Sequence, residues 1–242
     1  MNYRDKIYSR YISSHTKNLY GDISLDEIKN QFLIWQSYFG SFLPKDKEAL
    51  ILEIGCGNGG LVYWLQKSGF KKTEGVDISK EQFEESKKFN IKNIYQDDLK
   101  NFLKNRENIY DVIFMRDIIE HFNKEEILEI LELVNCSLKE GGKIIIQTPN
   151  AEGPFGGRYR YWDFTHEISF TEGSICQVLL VSNFGKIRIF PTNPIIHGFK
   201  SFIRFILWRI IELILRFYLL VETGSGKGIF TQNLIAVAEK NS

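Results

Sequence analysis

Cysteine is scarce in this 242-residue sequence, and Cys56, Cys136 and Cys176 lack the spacing of a metal or redox motif. This excludes a disulfide framework and predicts a reducing compartment, the cytoplasm. An excess of one charge sign is also absent, since the net charge is +1, so we expect no extended nucleic-acid surface. Residues 1–6 are polar and no apolar run follows them, so we expect no signal peptide.

The most informative stretch is residues 50–60, where a short apolar run ends in a glycine-rich turn and a helical pattern follows. Strand, glycine turn and helix start form a nucleotide-type site at the carboxyl end of a parallel strand. The turn has the pattern Glu-x-Gly-x-Gly-x-Gly, formed by Glu53, Gly55, Gly57 and Gly59. A dinucleotide fingerprint does not require an acid two residues before the first of these glycines.

Strand-like and helix-like segments alternate after this turn. We predict strands over residues 49–54, 72–77, 93–96, 110–116, 143–148, 185–190 and 230–238. We predict helices over residues 61–67, 124–138 and 171–181, with Gly141 and Gly142 as the stop of the second. This alternation favours an α/β protein with a parallel sheet and right-handed crossovers.

Residues 1–44 form a helical segment before the first strand, and Asp22, Ser24 and Asp26 are its candidate caps. Apolar residues follow at helical spacing. The segment can cover a ligand site as a lid, or it can pack as core, because aromatic residues at this spacing usually do. We therefore divide the chain into a helical lid over 1–44 and a main domain over 45–242.

The glycine motif resembles the first motif of class I methyltransferases that use S-adenosylmethionine (SAM), and the alternative reading is an NAD or flavin turn. The resemblance implies a Rossmann-like sheet of seven strands, mostly parallel, in the order 3-2-1-4-5-7-6. It also implies that Glu53 faces the positively charged methionine end of SAM. Asp77, which closes strand 2, can accept hydrogen bonds from two ribose hydroxyls.

The resemblance implies further cofactor contacts. Ile78 would pack on the adenine ring, and an acid after strand 3 would accept a hydrogen bond from its amino group. Asp98 is our choice for that acid over the adjacent Asp97, and the alternative for either is the N-cap of the next helix. We add Leu99, and Arg116 at the end of strand 4, to the expected cofactor site.

Asp117, Glu120 and His121 follow strand 4, and on a helix positions i, i+3 and i+4 share one face. His166 follows strand 5 in a long loop, within Thr165-His166 and before Phe170-Thr171. Together these residues resemble two metal-assisted groups, the ubiquinone-pathway O-methyltransferases and the small-RNA 2′-O-methyltransferases. Methyltransferases of surface-polysaccharide pathways also carry the Thr-His and Phe-Thr segment. Asp117 departs from the pattern, because those two metal-assisted groups usually have Glu there.

These residues suggest a chemical role. A divalent cation, Mg²⁺ or Mn²⁺ by expectation, could orient two vicinal hydroxyls and lower the pKa of one. Its predicted ligands are Asp117, Glu120, His121 and His166. The metal-free alternative uses His166 or His121 as a general base.

Residues 195–221 are very rich in Ile, Leu, Phe and Trp, but their charges are too frequent for a transmembrane helix. We expect a helical insert over 194–224. Four charged residues at multiples of four are predicted to share one stripe: Lys200, Arg204, Glu212 and Arg216. Such a helix suits peripheral contact with a bilayer, and the alternatives are a homo-oligomer interface or a deeply buried helix pair.

The sequence thus predicts a SAM-dependent O-methyltransferase in the cytoplasm or at the inner face of the membrane. Its expected acceptor is a saccharide hydroxyl on a surface-glycan or lipid-linked intermediate. One alternative is 2′-O-methylation of an RNA 3′ end, which the near-neutral charge and the apolar insert disfavour. Another is a non-catalytic SAM-binding scaffold, which would not need the four candidate metal ligands.

Overall fold

A seven-stranded sheet forms the centre of the protein, seen here in a computed structural model that describes residues 3–16 and 24–241. The strands are β1 Ile51–Ile54, β2 Glu74–Asp77, β3 Ile94–Gln96, β4 Tyr110–Arg116, β5 Leu138–Pro149, β6 Phe184–Pro191 and β7 Asn233–Lys240. Their order is β3-β2-β1-β4-β5-β7-β6, and β7 is antiparallel to both of its neighbours. The predicted fold class and strand order are confirmed.

Helices cover both faces of this sheet. They are α1 Tyr3–Tyr8, α2 Leu25–Asn30, α3 Phe32–Phe39, α4 Gly60–Lys67, α5 Lys80–Lys88, α6 Leu99–Leu103, α7 Lys124–Ser137, α8 Gly156–Arg160, α9 Glu172–Val181 and α10 Phe199–Thr223. A π-helical turn covers Ile12–Thr16, and 3₁₀ turns cover Gly40–Phe42 and Ile119–His121. Of the predicted caps, Ser24 forms a capping box with Glu27, whereas Asp22 lies outside the described residues.

The described residues before β1 form two parts that lie in different places on the domain. Helices α2 and α3 belong to the core, because Ile28, Trp35 and Phe39 are buried and pack with Trp64 of α4. Their apolar spacing matches the helical period. Residues 3–16 instead lie over the carboxyl edge of the sheet, beside the cavities described below.

The predicted helix stop at Gly141 and Gly142 is wrong. Helix α7 ends earlier, and Leu138 already pairs with Tyr110 of β4 at the start of β5. The register of this pairing shifts between Tyr110 and Val112, so β5 carries extra residues there. Gly141, at φ +69°, supplies the left-handed backbone of this irregularity.

Helix α10 also differs from the prediction, because its four predicted stripe residues do not share one face. Glu212 and Arg216 point towards the domain, whereas Lys200 and Arg204 are exposed. A step of four residues advances by about 40° around an α-helix, so a row of such steps spirals away from its starting face. No helix in the described residues is long and apolar enough to span a bilayer.

Candidate functional site

The glycine turn after β1 brings bare backbone to the carboxyl edge of the sheet. Gly55 has φ +67°, and a Cβ atom there would lie 2.7 Å from Cγ1 of Ile118. The N–H of Gly57, at φ +53°, donates to Oδ2 of Asp77 over 2.8 Å. A side chain at Gly55 would be strained by its backbone and would collide with Ile118. The turn therefore requires glycine.

A cavity of about 520 Å³ opens beside this turn, within the size range of small-molecule sites. Most of the predicted cofactor residues line it: Gly55, Gly57, Asp77, Ile78, Asp98, Leu99 and Arg116. Glu53 and Gly59 are not on its surface. Gly59, at φ +79°, instead caps α4, and Glu53 lies fully buried beneath the turn.

Asp77 and Asp98 both use their carboxylates to hold backbone. Asp77 accepts from Gly57 and, at 2.8 Å, from the N–H of Ser79. Burial raises the pKa of Asp77, although these two donors oppose that rise. Asp98 caps α6 through the N–H groups of Lys100 and Asn101, so the alternative N-cap role is realised while the residue also lines the cavity.

Glu53 is placed differently. Its side chain is fully buried, and Nε of Arg116 lies 3.4 Å from Oε1 without the geometry of a hydrogen bond. Both carboxylate oxygens lack a donor among the described residues. Burial raises the pKa of Glu53 to about 7, while Arg116 opposes the rise. Glu53 can therefore change its charge close to neutral pH.

A second cavity, of about 510 Å³, adjoins the first. Tyr11, Asp117 and His121 line both cavities. The remaining wall of the second cavity comes from Glu120, Pro149, Arg158, Tyr159, Trp162, Asp163, His166, Gln232 and Asn233. The site thus has two adjoining compartments. Of the predicted metal ligands, Asp117 and His121 lie in the wall that both share, and Glu120 and His166 line the second cavity.

Three of the four predicted metal ligands come together. Among the described residues, Glu120, His121 and His166 offer ligand atoms that all lie within 4.8 Å of one another. Oε2 of Glu120 accepts from the Thr148 hydroxyl over 3.0 Å, whereas Oε1 is buried and has no hydrogen-bond donor in the part of the chain that the structure describes. Burial and the nearby Asp117 carboxylate raise the pKa of Glu120 well above its usual range.

The hydrogen bonds of the two histidines set their tautomers. Nδ1 of His166 lies 3.1 Å from the carbonyl oxygen of Tyr159, which can only accept, so Nδ1 carries the proton. Nδ1 of His121 lies 2.7 Å from the Thr165 hydroxyl, which itself donates to Asp163 over 2.6 Å. His121 must therefore donate to Thr165, and in both neutral rings Nε2 carries the lone pair.

Asp163 anchors this chain of hydrogen bonds. Burial alone would raise its pKa, but hydrogen bonds from Thr165 and Tyr11 outweigh burial and lower the pKa below its usual range. An ionised carboxylate behind an imidazole orients the ring and increases its basicity. The pair Asp163 and Thr165 thus serves His121 as an orienting device.

Asp117 lies outside the three-residue cluster. It has φ +53°, and both carboxylate oxygens accept from the side-chain amide of Gln147, at 3.1 and 3.0 Å. The guanidinium of Arg116 lies 3.7 Å away. The predicted shared face requires one continuous helix from Asp117, but the 3₁₀ turn starts only at Ile119. The shared-face geometry therefore holds for Glu120 and His121 but not for Asp117.

A lid over residues 1–44 was predicted, but the side chains of residues 3–16 that reach the cavities were not. Arg4 forms a two-pronged ion pair with Glu126, at 2.9 and 2.7 Å, and lines the first cavity. Tyr8 lines the same cavity, and the Tyr11 hydroxyl donates to Asp163 over 2.7 Å. Their partners lie more than a hundred residues away, so only the row of tyrosines itself could have been a signal.

Comparison with known proteins agrees with this geometry. The family model described as "Methyltransferase domain" matches residues 30–186, which is more than half of the chain. No curated protein matches the sequence significantly.

Several solved structures share the fold. A SAM-dependent methyltransferase from Archaeoglobus fulgidus is 21% identical with a TM-score of 0.63, covering 89% of this chain and 97% of its own. One from Thermotoga maritima, described as a possible histamine N-methyltransferase, is 15% identical with a TM-score of 0.65, covering 98% and 99%. The 1,6-didemethyltoxoflavin-N1-methyltransferase from Burkholderia thailandensis, with bound 1,6-didemethyltoxoflavin and S-adenosylhomocysteine, is 14% identical with a TM-score of 0.59, covering 99% and 89%. At these identities the likeness shows the fold, and the fold does not choose the acceptor.

Proposed function

The chain belongs to the methyltransferase-domain family and is a SAM-dependent methyltransferase, and from this premise we propose that it methylates a saccharide hydroxyl with the help of a divalent cation. The observation that carries the proposal is the cluster of Glu120, His121 and His166, which lines the second cavity and reaches the first through His121. A methyl donor in one cavity and an acceptor in the other would face each other at this cluster. Alignment of that kind is the main task of such an enzyme.

The first cavity suits SAM. SAM, when bound, supplies a methyl group on a positive sulfonium. The buried carboxylate of Glu53 can complement positive charge, since its oxygens have no hydrogen-bond donor among the described residues. The bare backbone of the glycine turn admits a ligand closely, and Asp77 holds that turn in shape.

The three-residue cluster fits a divalent cation. Among the described residues, one buried carboxylate oxygen of Glu120 has no hydrogen-bond donor. Its desolvation lowers the stability of the fold unless a ligand binds to it. Both imidazoles are fixed by hydrogen bonds from Nδ1, as is usual for metal-binding histidines. Mixed oxygen and nitrogen ligands suit Mg²⁺, Mn²⁺, Fe²⁺ or Zn²⁺. A bound cation would supply Lewis acidity towards a hydroxyl.

The second cavity supports a saccharide acceptor. Tyr159 and Trp162 offer aromatic surface, while Gln232 and Asn233 offer amide donors and acceptors. Arg158 adds a cation, which lies 5.3 Å from the Trp162 ring centre. Flat apolar surface with hydrogen-bonding groups beside it suits a sugar ring, which has apolar faces and a polar edge.

The test is methyl transfer from SAM to a panel of free and polyprenyl-linked saccharides, read by mass spectrometry. We expect EDTA to abolish transfer and leave SAM binding unchanged, with recovery after addition of Mg²⁺ or Mn²⁺. His166→Ala should lose transfer at least about 100-fold, the scale of a lost catalytic group, without recovery by added metal. His197→Ala, at an exposed histidine, is the matched control and should keep full activity.

Two results would contradict the proposal. Full transfer in EDTA, at a rate that rises with pH as a histidine base loses its proton, would favour the metal-free mechanism. Transfer to amine probes but to none of the saccharides would reject the hydroxyl acceptor and leave the methyltransferase assignment unchanged.

A further inference from the structure

Helix α10 exposes a stripe of large apolar side chains over its whole length. The stripe consists of Phe199, Ile203, Ile206, Ile210, Leu213, Ile214, Phe217 and Val221, each at least 43% exposed. These residues fall within an arc of about 100° and span about 33 Å along the helix, and no charged residue interrupts them. A stripe of this size on the outer face is unusual for a monomeric surface and points to a contact.

Polar contacts fix this orientation. Glu212 is buried on the inner face and accepts from Arg209 at 2.6 Å and from Arg216 at 2.7 Å. Arg216 also donates to the carbonyl of Gly226 over 2.9 Å, and the Trp208 indole donates to Asn193 over 3.1 Å. Turning the stripe inward would break the bonds to Gly226 and Asn193, and it would carry the Glu212 cluster, whose own bonds lie within the helix, out to solvent. The outward apolar face is thus built into the fold.

The position of α10 links it to the site. It connects the end of β6 to the start of β7, and both points lie at the carboxyl edge of the sheet because β7 runs antiparallel to β5 and β6. The segment after the helix continues to the acceptor cavity. Asn150 donates to the carbonyls of Ile229 and Thr231 in this segment, and Asn233 lines the second cavity.

A second exposed patch borders the same cavity. It consists of four aromatic residues and one arginine, Phe155, Arg158, Tyr161, Trp162 and Phe164, and the half-buried Arg160 between them donates to the Glu167 carbonyl. Tyr161 is 77% and Phe164 83% exposed. Amphipathic aromatic rings with cations among them are typical of residues at a membrane interface.

We propose that the α10 stripe and this aromatic patch together bind an anionic lipid surface and hold the second cavity against it. Three basic residues agree with that partner. Lys200 and Arg204 flank the stripe on one side, where the acid Glu222 also lies near the helix end, and Arg209, paired with Glu212, flanks it on the other. Its consequence for the acceptor, a saccharide carried on a lipid, rests on the proposed function. Membrane contact would bring such an acceptor to the mouth of its cavity.

A second copy of the chain suits the surface less well. A two-fold pair of helices centred on Ile210 would bring the Arg209 side chains of both copies close together, because residues next to a two-fold axis lie opposite their own equivalents. It would also leave the aromatic patch unexplained. A lipid surface uses both patches and both basic flanks.

The experiment is sedimentation of the full chain with vesicles of phosphatidylcholine alone or mixed with phosphatidylglycerol. We expect at least tenfold stronger partition onto the phosphatidylglycerol vesicles, falling with salt because salt screens the basic flanks. The double variant Ile210→Gln, Phe217→Gln should lose at least tenfold in partition. The double variant Leu180→Gln, Val181→Gln changes an equally exposed apolar pair on α9, near the start of β6 at the opposite edge, and should stay within twofold of the wild type.

Three results would overturn the inference. The wild type could stay in solution with both vesicle types, or the two double variants could behave alike. In the third case, sedimentation velocity would show a dimer that only the α10 variant dissociates, which would make a second copy the occupant. Calorimetric SAM binding and saccharide methylation, measured on the same preparations, separate this inference from the proposed function. If the protein does not bind vesicles but still methylates saccharides, the lipid surface is rejected and the proposed acceptor stands. If it binds vesicles but methylates no saccharide, the proposed acceptor is rejected and the lipid surface stands.

Discussion

Four acids at the carboxyl edge of the sheet form two pairs, which differ in the hydrogen bonds that their carboxylates accept. Asp77 and Asp98, at the ends of β2 and β3, give their carboxylates to backbone N–H groups. Glu53 on β1 and Glu120 after β4 are buried and keep carboxylate oxygens without a donor among the described residues. The outer pair shapes the site, and the inner pair is the one to which the proposed function gives positively charged ligands.

The inner pair carries a cost that the outer pair avoids. A buried carboxylate oxygen without a donor is unfavourable, and the protein responds by favouring protonation. This is why the pKa of Glu53 rises to about 7 and that of Glu120 rises well above its usual range. Strongly shifted groups in a cavity wall are typical of functional sites.

The largest expected effect is that of Glu120→Gln on turnover. The amide keeps the shape but cannot serve as an anionic ligand, so methyl transfer should fall at least about 100-fold. SAM affinity should stay within about twofold, since Glu120 lines only the second cavity. Initial rates and calorimetry check both values, with Glu172→Gln at an exposed acid as control. A variant with nearly full activity would show that Glu120 is not an anionic ligand needed for methyl transfer.

Asp77→Ala should weaken SAM binding by about 1.5–3 kcal/mol, or roughly 10- to 150-fold. It should also lower the thermal midpoint of the protein without SAM, because the N–H groups of Gly57 and Ser79 lose their acceptor. Asp97→Ala, at the neighbouring acid in the cavity wall, is the matched control and should change less. Weaker SAM binding with an unchanged midpoint would show that Asp77 does not shape the turn.

Glu53 should make SAM affinity depend on pH. The positive cofactor favours the carboxylate form, and the pKa of Glu53 is about 7. Affinity should therefore rise about tenfold from pH 6 to pH 8, with release of a proton on binding near pH 6. Calorimetry in buffers of different ionisation enthalpy measures both, and Glu53→Gln should remove the dependence. The same slope in that variant would assign it to another group.

The smallest expected effect has the opposite sign and concerns the protein without SAM. A carboxyl group whose pKa is raised in the folded state from 4.5 to about 7 stabilises the fold fully below 4.5, and this contribution is lost as the pH rises through 7. From pH 6 to pH 8 the free energy of unfolding should drop by about 1 kcal/mol more in the wild type than in Glu53→Gln. Urea titrations at both pH values measure it. A wild type that loses no more than the variant would show that Glu53 is already ionised throughout this pH range in the folded protein.

Local sequence patterns predicted much of the sheet and most of the residues named for the wall of the first cavity. Strand, glycine turn and helix are encoded within about ten residues at Gly55, and each strand-end acid follows directly from its strand. The parts that were missed depend on distant or exact geometry. Asp117 has a left-handed backbone that no helix period anticipates, and Arg4 meets Glu126 only in the folded chain.

Tyr11 lines both cavities, and Arg4, seven residues before it, is bound to Glu126. Any movement that frees one cavity from this segment therefore frees the other as well. The residence time of the spent cofactor is then tied to the lifetime of the Arg4–Glu126 pair, an ionic contact that salt weakens. When product release limits the rate, we expect turnover to quicken with ionic strength, which is opposite to the effect of salt on vesicle binding.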